Sequence, residues 1–169
     1  MYICNSSIND IDIILKLYDS GIEYQKAKSG RHWHSFDKNL LLKEIGENRH
    51  WKITDQAAIV CVFSVAFTDP LLWGQRDSDP AIYLHRIVAN PLFRGKRYTR
   101  HIIEWAKKYG KENGKKFIRL DTSSDNQRLN NYYTGCGFIF CGLKHFDKTE
   151  NVPLHYLDAD LSLFEIQID

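Results

Sequence analysis

The sequence lacks several features that mark whole classes of protein. No apolar run approaches the ~20 residues needed to cross a bilayer, and the longest, residues 57–67, is interrupted by Ser64. A net charge of +2 is too small to favour a polyanion. No secretory signal precedes the four cysteines and no C-x-x-C pair occurs. We therefore expect a cytoplasmic protein with reduced thiols and with no membrane or nucleic-acid partner.

Two common nucleotide-binding signatures are also missing. There is no G-x-x-x-x-G-K-[ST], which excludes a P-loop, and no G-x-G-x-x-G, which argues against a Rossmann dinucleotide site. His32 and His34 stand two residues apart, but no third ligand occurs at a spacing typical of a metal site. We expect no metal.

The chain is long enough for one domain, which we place over residues 1–169. Its hydrophobic spacing predicts, in order, a strand, two helices, three strands, a helix, a strand, a short helix and two strands. Leu157, Ala159, Leu161 and Leu163 alternate with polar residues, as in a half-exposed final strand. That strand could cover the domain's own core or pair with a second subunit in a homodimer.

A basic loop between a strand and an amphipathic helix is the first candidate site. The strand "AIYLHRIVA" ends at Asn90-Pro91, and the helix covers about residues 99–113. A helix N-terminus presents free N–H groups and a positive dipole end, so this geometry suits a phosphate. The loop residues are Arg94, Gly95, Lys96, Arg97, Tyr98 and Thr99. Read alone, the loop could equally be a solvated basic turn.

Together with the strand and the short helix after it, this stretch resembles the Gcn5-related N-acetyltransferase (GNAT) superfamily. In that family a strand ends near a proline and R/Q-x-x-G-x-G/A opens the next helix. Here "IVANPLFRGKRYT" supplies Arg94, but Arg97 and Thr99 replace the two later small residues. Side chains there could crowd a bound pyrophosphate unless they point outward.

A second motif strengthens the resemblance. The family has an Asn at a strand-to-helix turn and a Tyr shortly before Gly-Phe, and "DNQRLNNYYTGCGF" places Asn126, Tyr133, Gly137 and Phe138 accordingly. The resemblance covers nearly the whole chain and implies an α+β (α/β) domain of GNAT type. Its mixed, mostly antiparallel sheet would have six to seven strands, with about four helices flanking it.

The resemblance implies acetyl-CoA as cosubstrate and an amine of a small molecule or peptide as acceptor. The loop would hold the pyrophosphate, Asn126 would contribute to cofactor binding, and a strand end would pair with the pantetheine arm. That strand end comprises Ile87, Val88 and Ala89. Tyr133 would protonate the departing thiolate, with Tyr132 as the alternative donor, because a phenol keeps its proton at neutral pH.

The attacking amine must lose a proton, and His85 is the candidate base on the strand that leads to the cofactor. A hydrogen-bonded structural histidine is the alternative interpretation. Strict alternation would place Tyr83, His85, Ile87 and Ala89 on one face of that strand.

In the family the acceptor pocket is usually built from the segment after the first helix and from the loop before the fourth strand. These are residues 30–36 and 69–79 here, and they contain Trp33 and Trp73 as candidate substrate contacts. The two rings could instead pack the segments together.

Two other functions stay open. A non-catalytic acyl-CoA sensor could keep the fold with the altered loop. A third possibility, acetylation of the aminoacyl end of a charged tRNA, is disfavoured by the nearly neutral charge.

Overall fold

The computed structural model describes residues 1–29, 31–148 and 150–168, which form one seven-stranded sheet with helices on both faces. The strands are β1 (Tyr2–Asn5), β2 (His50–Asp55), β3 (Ala58–Ala66), β4 (Ala81–Ala89), β5 (Phe117–Ser123), β6 (Ile139–Phe146) and β7 (Ala159–Gln167). The α-helices are α1 (Ile11–Ser29), α2 (Lys38–Gly46), α3 (Pro70–Trp73), α4 (Tyr98–Glu112) and α5 (Gln127–Gly135). The predicted α+β fold class is confirmed.

Local chemistry explains where the first helices and the first hairpin begin and end. Ser7 and Asp10 form a capping box ahead of α1, and the Asp37 carboxylate accepts a hydrogen bond from Asn39 N at 2.8 Å to start α2. Gln56 and Ala57 have φ values of 47° and 68°, the backbone of a tight turn between β2 and β3.

The sheet order is β1-β2-β3-β4-β5-β7-β6, and every neighbouring pair except β4 and β5 is antiparallel. The parallel pairing of β4 with β5 extends only from Ala81 opposite Phe117 to Tyr83 opposite Arg119. Beyond this point the two strands diverge, and the divergence positions the candidate site.

Helices cover the two faces of the sheet. On one face, α4 packs Ile102 and Ala106 into the core that also contains Ile87 and Ala89 of β4. On the other face, α1 and α2 pack against a cluster that contains Val88. No helix within the described parts of the chain is both long and apolar enough to traverse a bilayer.

The predicted alternation along β4 is wrong in its second half. Arg86 adopts a left-handed φ of 52°, and the β3–β4 register shifts beside it, so the strand contains a bulge. One additional residue reverses the alternation. Ile87 and Ala89 therefore join Leu84 in the α4 core, while His85 lies on the face of Tyr83.

The prediction for the final strand also needs correction. β7 lies between β5 and β6 and forms ladders with both, so it is not available to a second subunit. Ser162, on the face predicted to be exposed, is buried, and α5 packs on this face through the contact of Tyr133 with Phe164.

A fully buried arginine fixes one end of β5. Arg119 forms ion pairs with Asp79 and with Glu165 (Nε to Oε2, 2.7 Å), and it donates to the Tyr83 hydroxyl at 3.2 Å. Its guanidinium lies 4.4 Å from the centre of the Trp73 ring. These contacts compensate the charge where β4 and β5 are still paired.

Candidate active site

The candidate active site is the gap between the diverging ends of β4 and β5. His85 lies two residues beyond Tyr83, the last β4 residue paired with β5. Residues 87–89 come next, and Val88 and Ala89 pair with β3 on their other side. The basic loop lies past the end of β4 and leads into α4. The strand end and the loop, both predicted to bind the donor, therefore lie in order along one side of the gap.

Residues 94–97 of the basic loop are exposed, and two of them have left-handed backbone conformations. Gly95 has φ +87°, and a side chain at this position would meet open space. Arg97, directly before α4, has φ +52°, the left-handed region that glycine adopts most readily. Its side chain is exposed, whereas Thr99 is buried in the first turn of α4. The loop thus keeps a glycine-like path although Arg97 replaces glycine.

Side chains of the loop contact their surroundings on two sides. The guanidinium of Arg94 lies 4.3 Å from the centre of the Tyr24 ring of α1, and Lys96 Nζ is 3.7 Å from an Asp55 carboxylate oxygen. Tyr98 is buried and donates from its hydroxyl to the Phe93 carbonyl at 3.0 Å. Arg94 is therefore held beside α1 at the mouth of the gap.

The opposite side of the gap is formed by α5. Asn126 caps this helix, because its Oδ1 accepts from Leu129 N at 3.1 Å. Asn126 also lines a shallow depression between α1 and α5 together with Tyr24. Arg94 stacks on the same Tyr24 ring, so Tyr24 links two residues that were predicted to bind the cofactor.

Tyr133 lies on the buried face of α5, against the rings of Phe138 and Phe164. Burial raises the pKa of its phenol above the ordinary value, and the nearby Asp121 carboxyl adds to this effect. The phenol therefore retains its proton at neutral pH, as a proton donor must. Tyr132, the alternative donor, is only half-buried, and burial also raises the pKa of its phenol.

Three side chains that sequence reasoning did not connect meet at the closed end of the gap. Asp69, His85 and Asp121 each place one ligand-type atom within 4.8 Å of the others. His85 Nε2 is 3.4 Å from Asp69 Oδ2, and His85 Nδ1 is 3.8 Å from Asp121 Oδ1. The Tyr156 hydroxyl donates to the other oxygen of Asp121 at 3.2 Å. We call these three residues the acidic cluster; it is also the set of described residues that could hold a metal ion.

Burial shapes the protonation of the acidic cluster. It raises the pKa of Asp69 to about 6, and with the neighbouring Asp69 carboxylate it raises the pKa of Asp121 to about 7. Burial, with the Arg86 guanidinium, lowers the pKa of His85 to about 4. At neutral pH the imidazole is neutral, and Asp121 holds a proton far more readily than an ordinary carboxyl does.

The two tryptophans predicted to contact the acceptor occupy different environments. Trp33 is half-buried and meets Phe36 edge to face at 5.6 Å, whereas Trp73 is only 4% exposed and lies beneath Arg119. Gly30, at the start of the first predicted pocket segment, lies outside the described residues. Both aromatic contacts with substrate stay predictions.

The sequence carried weak signals for the cluster residues that were missed. Asp121 interrupts the apolar strand "KFIRLDT", and Asp69 precedes Pro70 as the cap of α3, where its Oδ1 accepts from Leu72 N at 3.4 Å. Each has an ordinary local explanation. Their chemistry depends on a contact between segments far apart in the chain.

Comparison with known proteins agrees with this geometry. The model of the acetyltransferase (GNAT) family matches residues 32–138, more than half of the chain. A Bacillus subtilis protein named uncharacterized N-acetyltransferase YesJ is 26% identical over an alignment of 149 residues, and the match covers 83% of this chain and 83% of that one.

Solved structures share the fold. A GNAT-family acetyltransferase from Listeria monocytogenes has a TM-score of 0.77 and 25% identity, covering 98% of this chain and 94% of that one. The putative acetyltransferase yncA from Salmonella typhimurium, solved with its cofactor acetyl-CoA, has a TM-score of 0.71 and 14% identity over 100% and 94% of the two chains. The family match and the shared architecture together establish that this chain belongs to the acetyltransferase (GNAT) family.

Proposed function

We propose that the protein transfers an acetyl group from acetyl-CoA to the primary amine of a small molecule or peptide, by direct attack of the amine in a ternary complex. The observation that carries the proposal is the gap between β4 and β5. The basic loop lies at its open end, and Tyr133 and the acidic cluster lie farther in. The acetyl-CoA complex of the Salmonella neighbour supports the choice of donor.

In this proposal the loop and the start of α4 bind the pyrophosphate. Free N–H groups and the helix dipole attract the anion, and Arg94 adds a charged donor. The main chain of Ile87, Val88 and Ala89 faces the gap where β5 has diverged, and it pairs with the pantetheine arm. An N–H group of this strand end polarises the thioester carbonyl as negative charge develops on its oxygen.

Tyr133 then gives its proton to the sulfur as the carbon–sulfur bond breaks. A free thiol has a pKa near ~8.5, so the departing thiolate is a ready acceptor. Asn126 supports the reaction by fixing the start of α5, the helix that carries Tyr133. His85 lies closer to the paired ends of β4 and β5 than residues 87–89 do, on the part of the gap that we assign to the acceptor.

A homodimer is a separate proposal. Among the described strands, β1 and β6 form the edges of the sheet, so dimerisation by strand pairing would use one of them. On β6, Ile139, Phe140 and Leu143 are exposed.

The test combines binding with turnover. Acetyl-CoA is titrated calorimetrically into the wild type, Arg94→Ala and, as control, Lys108→Ala, which removes an exposed charge farther along α4. We expect roughly tenfold weaker binding for Arg94→Ala, because a charge-assisted hydrogen bond is lost, and unchanged binding for the control.

Thiol release is then measured with putrescine, phenethylamine and Nα-acetyllysine. Release with at least one amine supports the transferase. Binding without release for any of them would favour an acyl-CoA sensor, and no binding of acetyl-CoA would contradict the proposal.

A further inference from the structure

We propose that the acidic cluster is the binding site for the acceptor's ammonium group and that Asp121 takes the proton from it before attack. This inference rests on the proposed function and deepens it, since it assigns the acceptor side of the reaction to Asp69, His85 and Asp121. His85 is then a ligand of the ammonium group, and the base is a carboxylate.

The number and spacing of the cluster atoms fit an ammonium ion. A primary ammonium group has three N–H donors, and the cluster offers one carboxylate oxygen from each Asp and one imidazole nitrogen. Two acceptors placed 2.8 Å from one nitrogen along tetrahedral directions are ~4.6 Å apart. No two of the cluster atoms are more than 4.8 Å apart, and His85 Nε2 is 3.4 Å from Asp69 Oδ2. The three atoms are therefore close enough together to surround one ammonium nitrogen.

Charge favours the same ligand. The acceptor amine, with a pKa near ~10.4, arrives charged, and two carboxylates enclosed close together are stabilised by a cation. The positive groups nearest the cluster are already paired. Arg86 donates to Glu44 and to Ser64 Oγ, and Arg49 forms ion pairs with Glu44 and Glu47.

The position of Asp121 selects it as the proton acceptor. It lies on β5 between His85 and the Tyr156 hydroxyl, and its negative charge helps to raise the pKa of Tyr133, the proposed acid. Asp69 is instead tied to the start of α3 through Leu72 N. Because burial raises the pKa of Asp121 to about 7 while that of His85 falls to about 4, the carboxylate is the stronger base.

The proton balance closes without another reactant. Asp121 takes one proton from the ammonium group, and the neutral amine forms its nitrogen–carbon bond to the acetyl carbon. The carbon–sulfur bond breaks, and Tyr133 protonates the sulfur. Tyr133 recovers a proton from the acetylated nitrogen, which still carries a surplus one, and Asp121 releases its proton to solvent.

The pH dependence depends on the groups around Asp121. These are His85 of β4, Asp69 ahead of α3, Tyr133 of α5 and Tyr156 from the segment between β6 and β7, with Arg86 beside His85. Above its raised pKa, Asp121 is a carboxylate and can accept the proton; below it, the carboxyl is protonated and the rate falls. We expect the acid limb of kcat/KM for the amine to have its midpoint near pH 7.

The experiment compares wild type, Asp121→Asn, Asp69→Asn and the control Asp160→Asn, which changes an exposed carboxylate on β7. Each is assayed from pH 6 to 9.5 by thiol release, with whichever of putrescine, phenethylamine and Nα-acetyllysine the wild type uses fastest. We expect Asp121→Asn to lose roughly 10²–10³-fold at pH 7. At pH 9.5 the loss shrinks to less than about tenfold, because part of the amine is already neutral.

The other two variants complete the pattern. Asp69→Asn should raise KM for the amine roughly tenfold, because it weakens binding without removing the base. Its acid limb should remain but move to lower pH, because the Asp69 carboxylate that helps to raise the pKa of Asp121 is gone. Asp160→Asn should match the wild type. A loss in Asp121→Asn that is equal at every pH would indicate a structural role and overturn the assignment.

Further outcomes separate the two proposals. Turnover by the wild type together with a fully active Asp121→Asn would overturn the cluster's role and leave the transferase standing. No thiol release from the wild type with any of the three amines would overturn both. Activity lost with EDTA and restored by Zn²⁺ would also overturn the inference, because the cluster would then hold a metal.

Discussion

The two ends of the gap between β4 and β5 differ in charge, exposure and construction. The loop at the open end is basic and solvent-exposed, and its path is set by positive φ angles at Gly95 and Arg97. The acidic cluster is largely enclosed and is assembled from side chains of three separate segments. The difference matches the two substrates, since one end suits a pyrophosphate and the other an ammonium group. Single substitutions should therefore affect one end without the other.

The largest effect should come from Tyr133, which lies between the two ends. Tyr133→Phe removes only the phenolic oxygen, so the ring packing with Phe138 and Phe164 remains. We expect kcat to fall by roughly 10²–10⁴-fold with little change in acetyl-CoA binding, because a general acid acts only in the transition state. Steady-state thiol release measures kcat, and calorimetric titration measures the affinity for acetyl-CoA. Tyr132→Phe is the matched comparison, and a larger loss in that variant would transfer the acid's role to Tyr132.

The next largest effect concerns Arg119, whose buried ion pairs lie where β4 and β5 are still paired. Arg119→Met leaves Asp79 and Glu165 without their buried partner, and we expect the free energy of unfolding to fall by about 3–5 kcal/mol. Urea denaturation followed by tryptophan fluorescence gives this value. Arg76→Met removes a more exposed partner of the same Glu165 and should cost less than ~1 kcal/mol. Equal losses in the two variants would show that burial of Arg119 carries no special weight.

The smallest effect tests whether backbone conformation defines the loop. Gly95→Val places a β-branched residue at φ +87° and should cost about 1–2 kcal/mol of stability, with a further loss in acetyl-CoA affinity. Gly114→Val is a matched control, since Gly114 has φ +66° and open space around it at the far end of α4. The control should lose similar stability and keep its affinity. If both variants bind acetyl-CoA equally well, the loop backbone is not part of the site.

Much of the fold could be predicted from local patterns. The helix predicted at about residues 99–113 corresponds to α4 (Tyr98–Glu112), because its apolar face and the loop before it are contiguous in the chain. The GNAT resemblance, which the family match confirms, also rested on contiguous motifs.

The features that sequence reasoning missed are non-local. The bulge at Arg86 reverses the side-chain pattern of β4 with a single residue, and no glycine or proline marks it. The position of β7 between β5 and β6 depends on how strands pair, and the alternation of one strand does not encode this. Asp69, His85 and Asp121 meet only when β4, β5 and the start of α3 come together.

The central claim is that the basic loop holds the donor while the acidic cluster serves the acceptor. The most direct test is a calorimetric titration of acetyl-CoA into Arg94→Ala and Asp121→Asn, side by side with the wild type. We predict a roughly tenfold higher Kd for Arg94→Ala and a Kd within about twofold of the wild type for Asp121→Asn. Equal weakening in both variants, or weakening only in Asp121→Asn, would contradict the division of the site into these two ends.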